Sequence, residues 1–444
     1  MDAAREQDAI SGASAAEIAE SVRNLIDRGA LSAGDPLPSV RALADRLGVN
    51  RNTVVAAYRL LGQAGVVETQ GRGGTHVRAP RAMAAEGYAQ DSVLRDVGDG
   101  NPDPALIPDP SSALAALAGR PVLYGEPVID PDLERWARTW IAPDVVDGED
   151  VRVTVTGGAV DAMERLLAQA LTRDDAVALE DPCFLSSIRT VRLGGYRPVA
   201  VPVDEQGMTV EGLRAALEDG ARAVICTPRA QNPTGVSLTA ERAAQLREVL
   251  ADHPHVLVII DDHSAMLTRT PYHSIIGPSH RRWALVRSVS KFLGPDMCLA
   301  VTASDADTAE RLAMRLSPGS TWVSHLLQRL TVALVTDPAV LAAIDRAGDH
   351  YLARNQAFAQ RLTAHGVACT AGDGLSLWVD VGVSARAVTE QLMRRGWLAR
   401  PGDEFVLADR DATHRLRLTV HTLSDADAER LAADTAAAVR AATR

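Results

Sequence analysis

Between residues 151 and 288 the chain alternates short apolar runs rich in β-branched residues with amphipathic stretches of helical length. Such alternation predicts an α/β domain, with a mostly parallel sheet and helices on both faces. The predicted strands are Val151–Thr156, Ala176–Leu179, Pro198–Val203, Ala223–Cys226, Val256–Asp261 and Trp283–Ser288. The predicted helices between them are Gly158–Leu171, Val210–Asp219 and Ala240–Asp252. Ligands of open α/β sheets bind at the carboxyl ends of the strands, so we expect the site there.

The length of 444 residues exceeds what one hydrophobic core serves, and two or three domains are expected. After Pro338 the pattern changes to a long helix and then a smaller α+β unit. Its strands are expected near Leu375–Val381 and Arg415–Thr422, with a final helix from Asp425.

Composition narrows the class of protein. No apolar run approaches a membrane span and the N-terminus lacks a signal-peptide core, so we expect a cytoplasmic protein without a membrane partner. Four widely spaced cysteines favour neither a metal cluster nor a disulfide framework, and no metal is predicted. They are Cys183, Cys226, Cys298 and Cys369.

Lys291 is the only lysine among the 46 lysine and arginine residues. Arginine would serve equally well in a surface ion pair, so a single lysine indicates chemistry that a guanidinium cannot perform. An ε-amine can lose its proton in a buried site and form a Schiff base, whereas a guanidinium stays protonated. Lys291 follows the predicted strand Trp283–Ser288, at the expected ligand site.

Three further loops lie at predicted strand ends. Thr156-Gly-Gly-Ala159 joins a strand to a helix, and a helix N-terminus flanked by small residues can cradle a phosphate. Gln231-Asn-Pro-Thr-Gly235 follows another strand. Asp261-Asp262-His263 ends a very apolar strand, and a carboxylate there can pair with a protonated pyridine nitrogen. Together, in order, these loops favour one ligand site over separate structural turns.

The net charge is −11, but the basic residues are unevenly placed. Six arginines lie between residues 36 and 80, against only Asp45 and Glu68. This indicates a small module that contacts phosphates, attached to an acidic body that does not.

The first eighty residues, which include this basic segment, have the pattern of a winged helix-turn-helix. Ser14-Ala-Ala-Glu17 is a capping box at the start of a first helix. A second helix, capped by Ser39 and closed by Gly48, is joined by a short turn to a third helix after Asn50. Residues 66–78 are expected to form a β-hairpin wing.

These motifs resemble the GntR family in Leu37-Pro-Ser-Val-Arg41, Gly48-Val-Asn-Arg51, Thr53-Val54 and the Gly71–Gly74 loop. The resemblance implies promoter DNA as a partner. The residues it implies in DNA contact are Arg41, Asn50, Arg51, Thr53, Arg72 and Gly73. Arg51 starts a helix, where side chains and free amides reach phosphates and base edges. A winged helix used only for protein contacts stays open as the alternative.

Three segments are expected from these patterns. Residues 10–78 would form the DNA-binding domain, and the alanine-rich, unpatterned stretch 79–98 a linker. Residues 99–444 would form the body, with a small subdomain from about 338.

Over roughly residues 95–444 the loops and the lysine resemble fold-type I enzymes of the class I/II aminotransferase family. With the GntR-like segment, the whole chain resembles a MocR-type regulator. The resemblance implies pyridoxal 5'-phosphate as cofactor, linked to Lys291, with Asp261 at its pyridinium nitrogen. The other residues it implies around the cofactor are Asn232 and His263 at the phenolate oxygen, Gly158, Ala159 and Ser288 at the phosphate, Phe184 at the ring, and Tyr124 of the partner subunit in a homodimer. Arg417 would bind the carboxylate of an effector.

Three positions depart from the family pattern. His263 stands where a tyrosine is usual, and its imidazole can still donate a hydrogen bond. Cys183 replaces a glycine. Cys298, seven residues after Lys291, stands where the family has an arginine that pairs with the phosphate. Loss of that bidentate contact predicts weaker cofactor binding.

The favoured function is a transcription regulator that senses an amine or amino-acid-like effector through the cofactor. It is not expected to be primarily an enzyme, although partial transaminase chemistry is compatible with these residues. Two alternatives stay open: an active aminotransferase with an accessory DNA-binding domain, and a regulator whose body has lost the cofactor.

Overall fold

The computed structural model describes residues 9–63, 66–69, 74–77, 92–117, 121–145, 151–278, 280–316, 322–407 and 413–443. The chain divides into two compact units, residues 1–85 and 86–444, which we call the head and the body.

Among its described residues, the head contains three helices and one hairpin. They are α1 (Ala15–Asp27), α2 (Val40–Leu47), α3 (Arg51–Gln63), β1 (Val67–Thr69) and the antiparallel β2 (Thr75–Val77). The Ser14 hydroxyl accepts from the amide of Glu17, whose carboxylate accepts from the amide of Ser14, so the predicted capping box is present. Ser39 caps α2, and Gly48 ends it in the left-handed conformation that favours glycine.

One apolar face of each head helix forms the core of this unit. Ile18, Val22, Leu43, Val54 and Leu61 are completely buried there. The predicted helix-turn-helix is therefore confirmed. The hairpin is present as predicted, but Arg72 and Gly73 of its turn lie outside the described residues.

The body is built on an eight-stranded sheet with the order β4-β11-β10-β9-β8-β5-β6-β7. Its strands are β4 (Arg152–Thr156), β5 (Ala176–Asp181), β6 (Arg197–Asp204), β7 (Gly207–Met208), β8 (Ala221–Cys226), β9 (Leu257–Asp261), β10 (Trp283–Ser288) and β11 (Ala300–Ser304). Neighbours from β10 to β6 are parallel, whereas β11 and β7 run antiparallel to their neighbours. The predicted fold class is confirmed, and the predicted strands match in place with ends shifted by a few residues.

Strand β11 is not among the strands that the sequence predicted. It follows β10 after the short connection 289–299. A parallel return needs a crossover of a dozen or more residues, so this connection fits only an antiparallel strand. β11 completes the sheet between β10 and β4.

Helices cover both faces of this sheet. They are α4 (Ser111–Ala116), α5 (Pro131–Ile141), α6 (Ala159–Ala170), α7 (Leu185–Leu193), α8 (Val210–Glu218), α9 (Ala240–Ala251), α10 (Ser290–Leu293), α11 (Ala306–Leu316) and α12 (His325–Val335). Single-turn 3-10 segments occur at Pro104–Leu106 and Ala142–Asp144. Residues alternate between the two faces along each strand, as in Val258 and Ile259, which are both fully buried in different clusters.

The long helix α13 (Pro338–Ala364) leads into the predicted smaller unit. That unit has the sheet β12-β15-β14 and a separate apolar cluster. Its elements are β12 (Leu377–Asp380), α14 (Ala385–Met393), β13 (Trp397–Leu398), β14 (Arg400–Pro401), a 3-10 segment Gly402–Phe405, β15 (Arg415–Leu418) and α15 (Asp425–Ala442).

The last residues of the expected linker are structured. β3 (Arg95–Asp96) pairs in parallel with Trp397–Leu398, and the next residue, Val97, is completely buried. Of residues 92–98, Val97 alone belongs to the buried apolar cluster of the smaller unit, so the sequence shows no apolar period there. This stretch therefore belongs to the fold of the body.

Among the described residues, no single helix is both long and apolar enough to cross a membrane. Helices α12 and α13 reach that length and apolarity only as a pair bent by 79°.

Candidate functional site

A cavity of about 270 Å³ lies at the carboxyl edge of the central sheet. Loops after β4, β5, β8, β9 and β10 form its walls, together with the residues before β11. Its lining residues are Gly157, Gly158, Ala159, Val160, Phe184, Asn232, Asp261, His263, Ser288, Ser290, Lys291 and Cys298. All the residues expected around a cofactor are therefore brought together, except Tyr124.

Sheet topology explains why these distant residues meet. Asp261 ends β9, which pairs in parallel with β10, and Lys291 follows the end of β10 in α10. Ala300, at the start of β11, pairs with Thr156 on one side and with Ser288 on the other.

We call the part of the cavity formed by Asn232, Asp261, His263 and Lys291 the ring end. The Asp261 side chain is 4% exposed, and its Oδ2 lies 3.5 Å from His263 Nδ1. Its Oδ1 has no hydrogen-bond partner among the described residues. A buried carboxylate oxygen without a donor is unfavourable, so a ligand with an N–H group would complete this site. The protonated pyridine nitrogen of pyridoxal phosphate is such a group, and the ring end fits it.

The loop that carries Asn232 is held by its neighbour Gln231, which the sequence analysis did not single out as a site residue. Gln231 Nε2 donates to the carbonyl of Pro182 (2.7 Å) and to Glu180 Oε2 (3.3 Å). Its Oε1 accepts from the Thr234 hydroxyl at 2.6 Å. Through these hydrogen bonds, Gln231 connects the loop that carries Asn232 to the end of β5.

Glu180 is a second residue that sequence reasoning missed. It is 2% exposed and accepts from the amide of Thr227 at 3.1 Å. Burial, together with the smaller effect of the Asp261 charge, raises the pKa of Glu180 to about 7, although hydrogen bonds from Thr227 and Gln231 lower it. The only sequence signal is its position at the end of β5, since its partners lie far away in the chain.

We call the part formed by Gly157, Gly158, Ala159, Val160, Ser288, Ser290 and Cys298 the phosphate end. Gly158 precedes α6 with a φ of 97°, a conformation that favours glycine, and no side chain caps the helix there. The first-turn amides of α6 form an anion-binding terminus.

The polar side chains at the phosphate end already have hydrogen-bond partners within the protein. The Ser288 hydroxyl lies 3.1 Å from the Ser290 hydroxyl, which donates to the carbonyl of Met297. Cys298 is exposed, and its thiol donates to the carbonyl of Pro295 at 3.3 Å. Strand register places Cys298, two residues before Ala300, at the same sheet edge as Gly158 and Ser290.

Arg417 does not line the cavity. It is completely buried in β15, and its guanidinium donates to Asn232 Oδ1 (3.2 Å) and to the carbonyl of Gly98 (2.7 Å). The guanidinium also lies 4.7 Å from the centre of the Phe405 ring. Arg417 reaches the ring end only through Asn232. A separate cavity of about 30 Å³, which Lys291 also lines, lies at the same loop.

Tyr124 lies on the surface of its own chain. It is 89% exposed, and its ring is 5.4 Å from the ring of Trp322. The Tyr124 side chain is therefore not part of the cavity within one chain.

A buried network of ion pairs is centred on Asp262, the residue that follows Asp261 of the ring end. Asp262 is completely buried and accepts from Arg229 (2.7 and 3.0 Å) and from Arg287 Nε (2.8 Å). Burial alone would raise the pKa of Asp262, but the two guanidinium groups hold it below its usual value. Arg287 also pairs with Asp144, which ties the region after α5 to the sheet.

The predicted DNA-contact residues lie around α2 and α3 of the head. The Arg41 side chain is 77% exposed and lies 3.8 Å from Asp45. Arg51 is the first residue of α3 and is exposed. Asn50 Oδ1 accepts from the amide of Asn52 at 2.8 Å, so this side chain caps the helix, and Thr53 is half-buried.

Other exposed residues on α3 were not predicted as contacts. Asn52, Val55 and Arg59 are exposed, and Val55 is 49% exposed although it is apolar. Their spacing, opposite the buried Val54 and Leu61, was a signal in the sequence that could have identified them.

Comparisons with known proteins agree with both units. The aminotransferase class I and II family model matches residues 95–434, and the model of the bacterial regulatory proteins of the gntR family matches residues 14–77. The vitamin B6 salvage pathway transcriptional repressor PtsJ of Salmonella typhimurium is 46% identical over 427 residues, which are 96% of this chain and 98% of PtsJ. The pyridoxine biosynthesis transcriptional regulator PdxR of Corynebacterium glutamicum is 31% identical over 56% of each chain.

Solved structures share the fold of the body. Kynurenine aminotransferase of Pyrococcus horikoshii has a TM-score of 0.71 at 20% identity, covering 82% of this chain and 97% of that one. The α-aminoadipate aminotransferase LysN of Thermus thermophilus has a TM-score of 0.69 at 21% identity, covering 79% and 93%. With both family models matched in one chain, and with transcription regulators among its relatives, this protein belongs to the MocR-type transcription regulators, in which a GntR-family winged helix-turn-helix is fused to an aminotransferase-like body.

Proposed function

We propose that this protein regulates transcription in response to pyridoxal 5'-phosphate and a small amine or amino-acid effector. The head binds promoter DNA in the cytoplasm, and the body binds the two small molecules. Similarity to PtsJ supports repression of genes for vitamin B6 metabolism as the output.

One observation carries the cofactor assignment. The only lysine of the chain lines the same cavity as the buried Asp261, whose Oδ1 has no partner among the described residues. When bound, pyridoxal phosphate supplies an aldehyde that reacts with primary amines and a ring that draws electrons from them.

The residues of the ring end divide the work of holding the ring. Asp261 would accept from the ring nitrogen and keep it protonated. Asn232 and His263 would face the phenolate oxygen, and Phe184 would pack against the ring. Lys291 would provide the amine that attaches the cofactor.

Arg417 is the candidate for recognising an effector carboxylate. Its guanidinium is directed at Asn232 and at the carbonyl of Gly98. An effector carboxylate would compete for this guanidinium with the acceptors that it already has.

We also propose a homodimer, in which Tyr124 of the partner subunit contacts the phosphate end. The Tyr124 ring contacts the ring of Trp322, three residues before α12, and α4 packs against α12. Leu114, Leu123 and Leu326 are 51%, 66% and 66% exposed. Such a patch favours association of protein surfaces. Sedimentation should give a dimer for the wild type and a monomer for Leu326→Glu.

The central test titrates the purified full-length protein with pyridoxal phosphate and follows absorbance of the cofactor attached to lysine. We expect saturable binding at one site per chain and a changed affinity for promoter DNA in a mobility-shift assay. Absence of any bound cofactor would contradict the cofactor assignment and favour a body that acts only as a scaffold.

The enzymatic alternative is separated by product analysis. An active aminotransferase would convert an amino acid and a keto acid through many turnovers, whereas a sensor should convert at most one equivalent per site. Sustained turnover would contradict the sensor assignment.

A further inference from the structure

The two ends of the cavity differ in charge. The ring end contains the ionisable side chains of Asp261, His263 and Lys291. None of the residues described as lining the phosphate end has a charged side chain. Cys298 occupies the edge position, beside Gly158 and Ser290, that a cation would need to reach a phosphate.

The remaining groups at the phosphate end are weak substitutes for a cation. The hydroxyls of Ser288 and Ser290 already have partners within their own loop. A dianionic phosphate carries a charge of about −1.5 to −2, which backbone amides and the dipole of α6 offset only partly.

A carboxylate also lies beside this end. Asp161, in the first turn of α6, accepts from the amide of Gly157 at 2.9 Å. Its other oxygen accepts from Arg165 at 2.7 Å, a pair whose side chains are 28% and 22% exposed. Asp161 therefore occupies the amide of Gly157, beside the phosphate end, and its charge is paired with Arg165.

We propose that this cavity discriminates only weakly between phosphorylated and unphosphorylated pyridoxal, so that pyridoxal itself is a ligand of the protein. The inference rests on the proposed function and names its ligand more closely. Both forms share the aldehyde, the phenolic oxygen and the ring nitrogen, which are the groups that the ring end contacts. In both, the Lys291 amine and the aldehyde join with loss of one water.

The experiment compares three probes on the full-length protein: pyridoxal 5'-phosphate, pyridoxal and 5'-deoxypyridoxal. The last lacks the phosphate and also lacks the hydroxyl through which free pyridoxal closes on its own aldehyde. Dissociation constants come from absorbance titrations, and mass spectrometry after borohydride reduction identifies the attached form at Lys291. For the wild type we expect 5'-deoxypyridoxal to bind within about tenfold of the phosphate form (about 1.4 kcal/mol).

Two variants test the cause. Cys298→Arg should raise the preference for the phosphate form on the order of 10- to 100-fold, because a guanidinium adds charge-assisted hydrogen bonds. Cys298→Ser, the matched control, should leave the preference unchanged. Asp161→Asn keeps an acceptor for Gly157 but removes the charge, so it should strengthen phosphate-form binding several-fold and leave 5'-deoxypyridoxal unaffected. It also provides a test if Cys298→Arg does not fold.

The outcomes separate this inference from the proposed function. A wild type that binds the phosphate form more than about 100-fold tighter than 5'-deoxypyridoxal would overturn the weak discrimination and leave the cofactor role intact. Attachment of none of the three probes to Lys291 would overturn both.

Discussion

The head and the body carry their charges in opposite ways. In the head, Arg41 and Arg51 are exposed, and the side chain of Asp45, beside Arg41, is 65% exposed. In the body, Asp262 is completely buried and Arg287 is 1% exposed. Exposed arginines attract a polyanion, and dissolved salt screens this attraction. Buried ion pairs are screened little and hold their side chains in a fixed geometry. One chain therefore uses ionic groups for association in one unit and for internal organisation in the other.

The largest effect, on cofactor attachment, is expected at Lys291, where a positive charge without a reactive amine is not sufficient. Lys291→Ala should abolish covalent attachment of pyridoxal phosphate, because no other lysine is present. Lys291→Arg is the matched variant that keeps the charge and should be equally inactive. Mass spectrometry after borohydride reduction measures attachment, and circular dichroism checks the fold. A trapped adduct on a side chain of either variant would contradict the assignment.

The second prediction compares two aspartates that each pair with arginine. Asp262→Asn should destabilise the body by about 3–5 kcal/mol, since it leaves buried guanidinium groups uncompensated. Asp45→Asn in the head should change stability by less than about 1 kcal/mol, because the pair with Arg41 is exposed. Urea unfolding measures both. Equal effects would remove the contrast between the two units.

Glu180 extends the comparison to pH. Its folded-state pKa of about 7 lies above the ordinary value of 4.5. Its contribution to stability is therefore fully present below about pH 4.5 and is lost as the pH rises through 7. The loss is on the order of 3 kcal/mol. Glu180→Gln should flatten the decline in unfolding free energy between pH 5 and pH 8.5, whereas the exposed Glu241→Gln should not. An unchanged slope in Glu180→Gln would show that the carboxyl is ionised throughout this range.

The smallest effects are expected on the exposed face of the head. Arg41→Ala and Arg51→Ala should each weaken binding to promoter DNA by about 1–3 kcal/mol and reduce its dependence on salt. Arg23→Ala, at an exposed arginine of α1, is the control and should change little. Mobility shifts at several salt concentrations measure this. Wild-type affinity in both variants would exclude the predicted docking of α2 and α3.

Much of the cavity could be predicted because its residues follow strands whose apolar pattern is strong. Asp261 and Lys291 each stand just past such a strand, and parallel strands bring their carboxyl ends to one edge. The contact of Glu180 with Gln231 could not be predicted, because it depends on β5 and β8 being neighbours in the sheet. Sequence separation hides this kind of proximity.

Arg417 shows a different limit. The pattern around it predicted a strand of the smaller unit, and the resemblance implied its role. Two of its hydrogen-bond partners are Gly98, about three hundred residues earlier, and Asn232. The sequence does not indicate that either residue pairs with an arginine. Gly98 contributes only its backbone carbonyl, and Asn232 also lines the cavity.

The position of Lys291 also allows local unfolding of the body to be followed by proteolysis. A lysine-specific endoprotease has one bond to cut in the whole sequence, between Lys291 and Phe292. Phe292 is 3% exposed, and the scissile bond lies within α10 at the end of a central strand. Proteolysis therefore requires the centre of the body to open, and it yields two fragments, 1–291 and 292–444, whatever happens in the head. Cleavage rates with no ligand attached to Lys291 would then measure how readily the body opens.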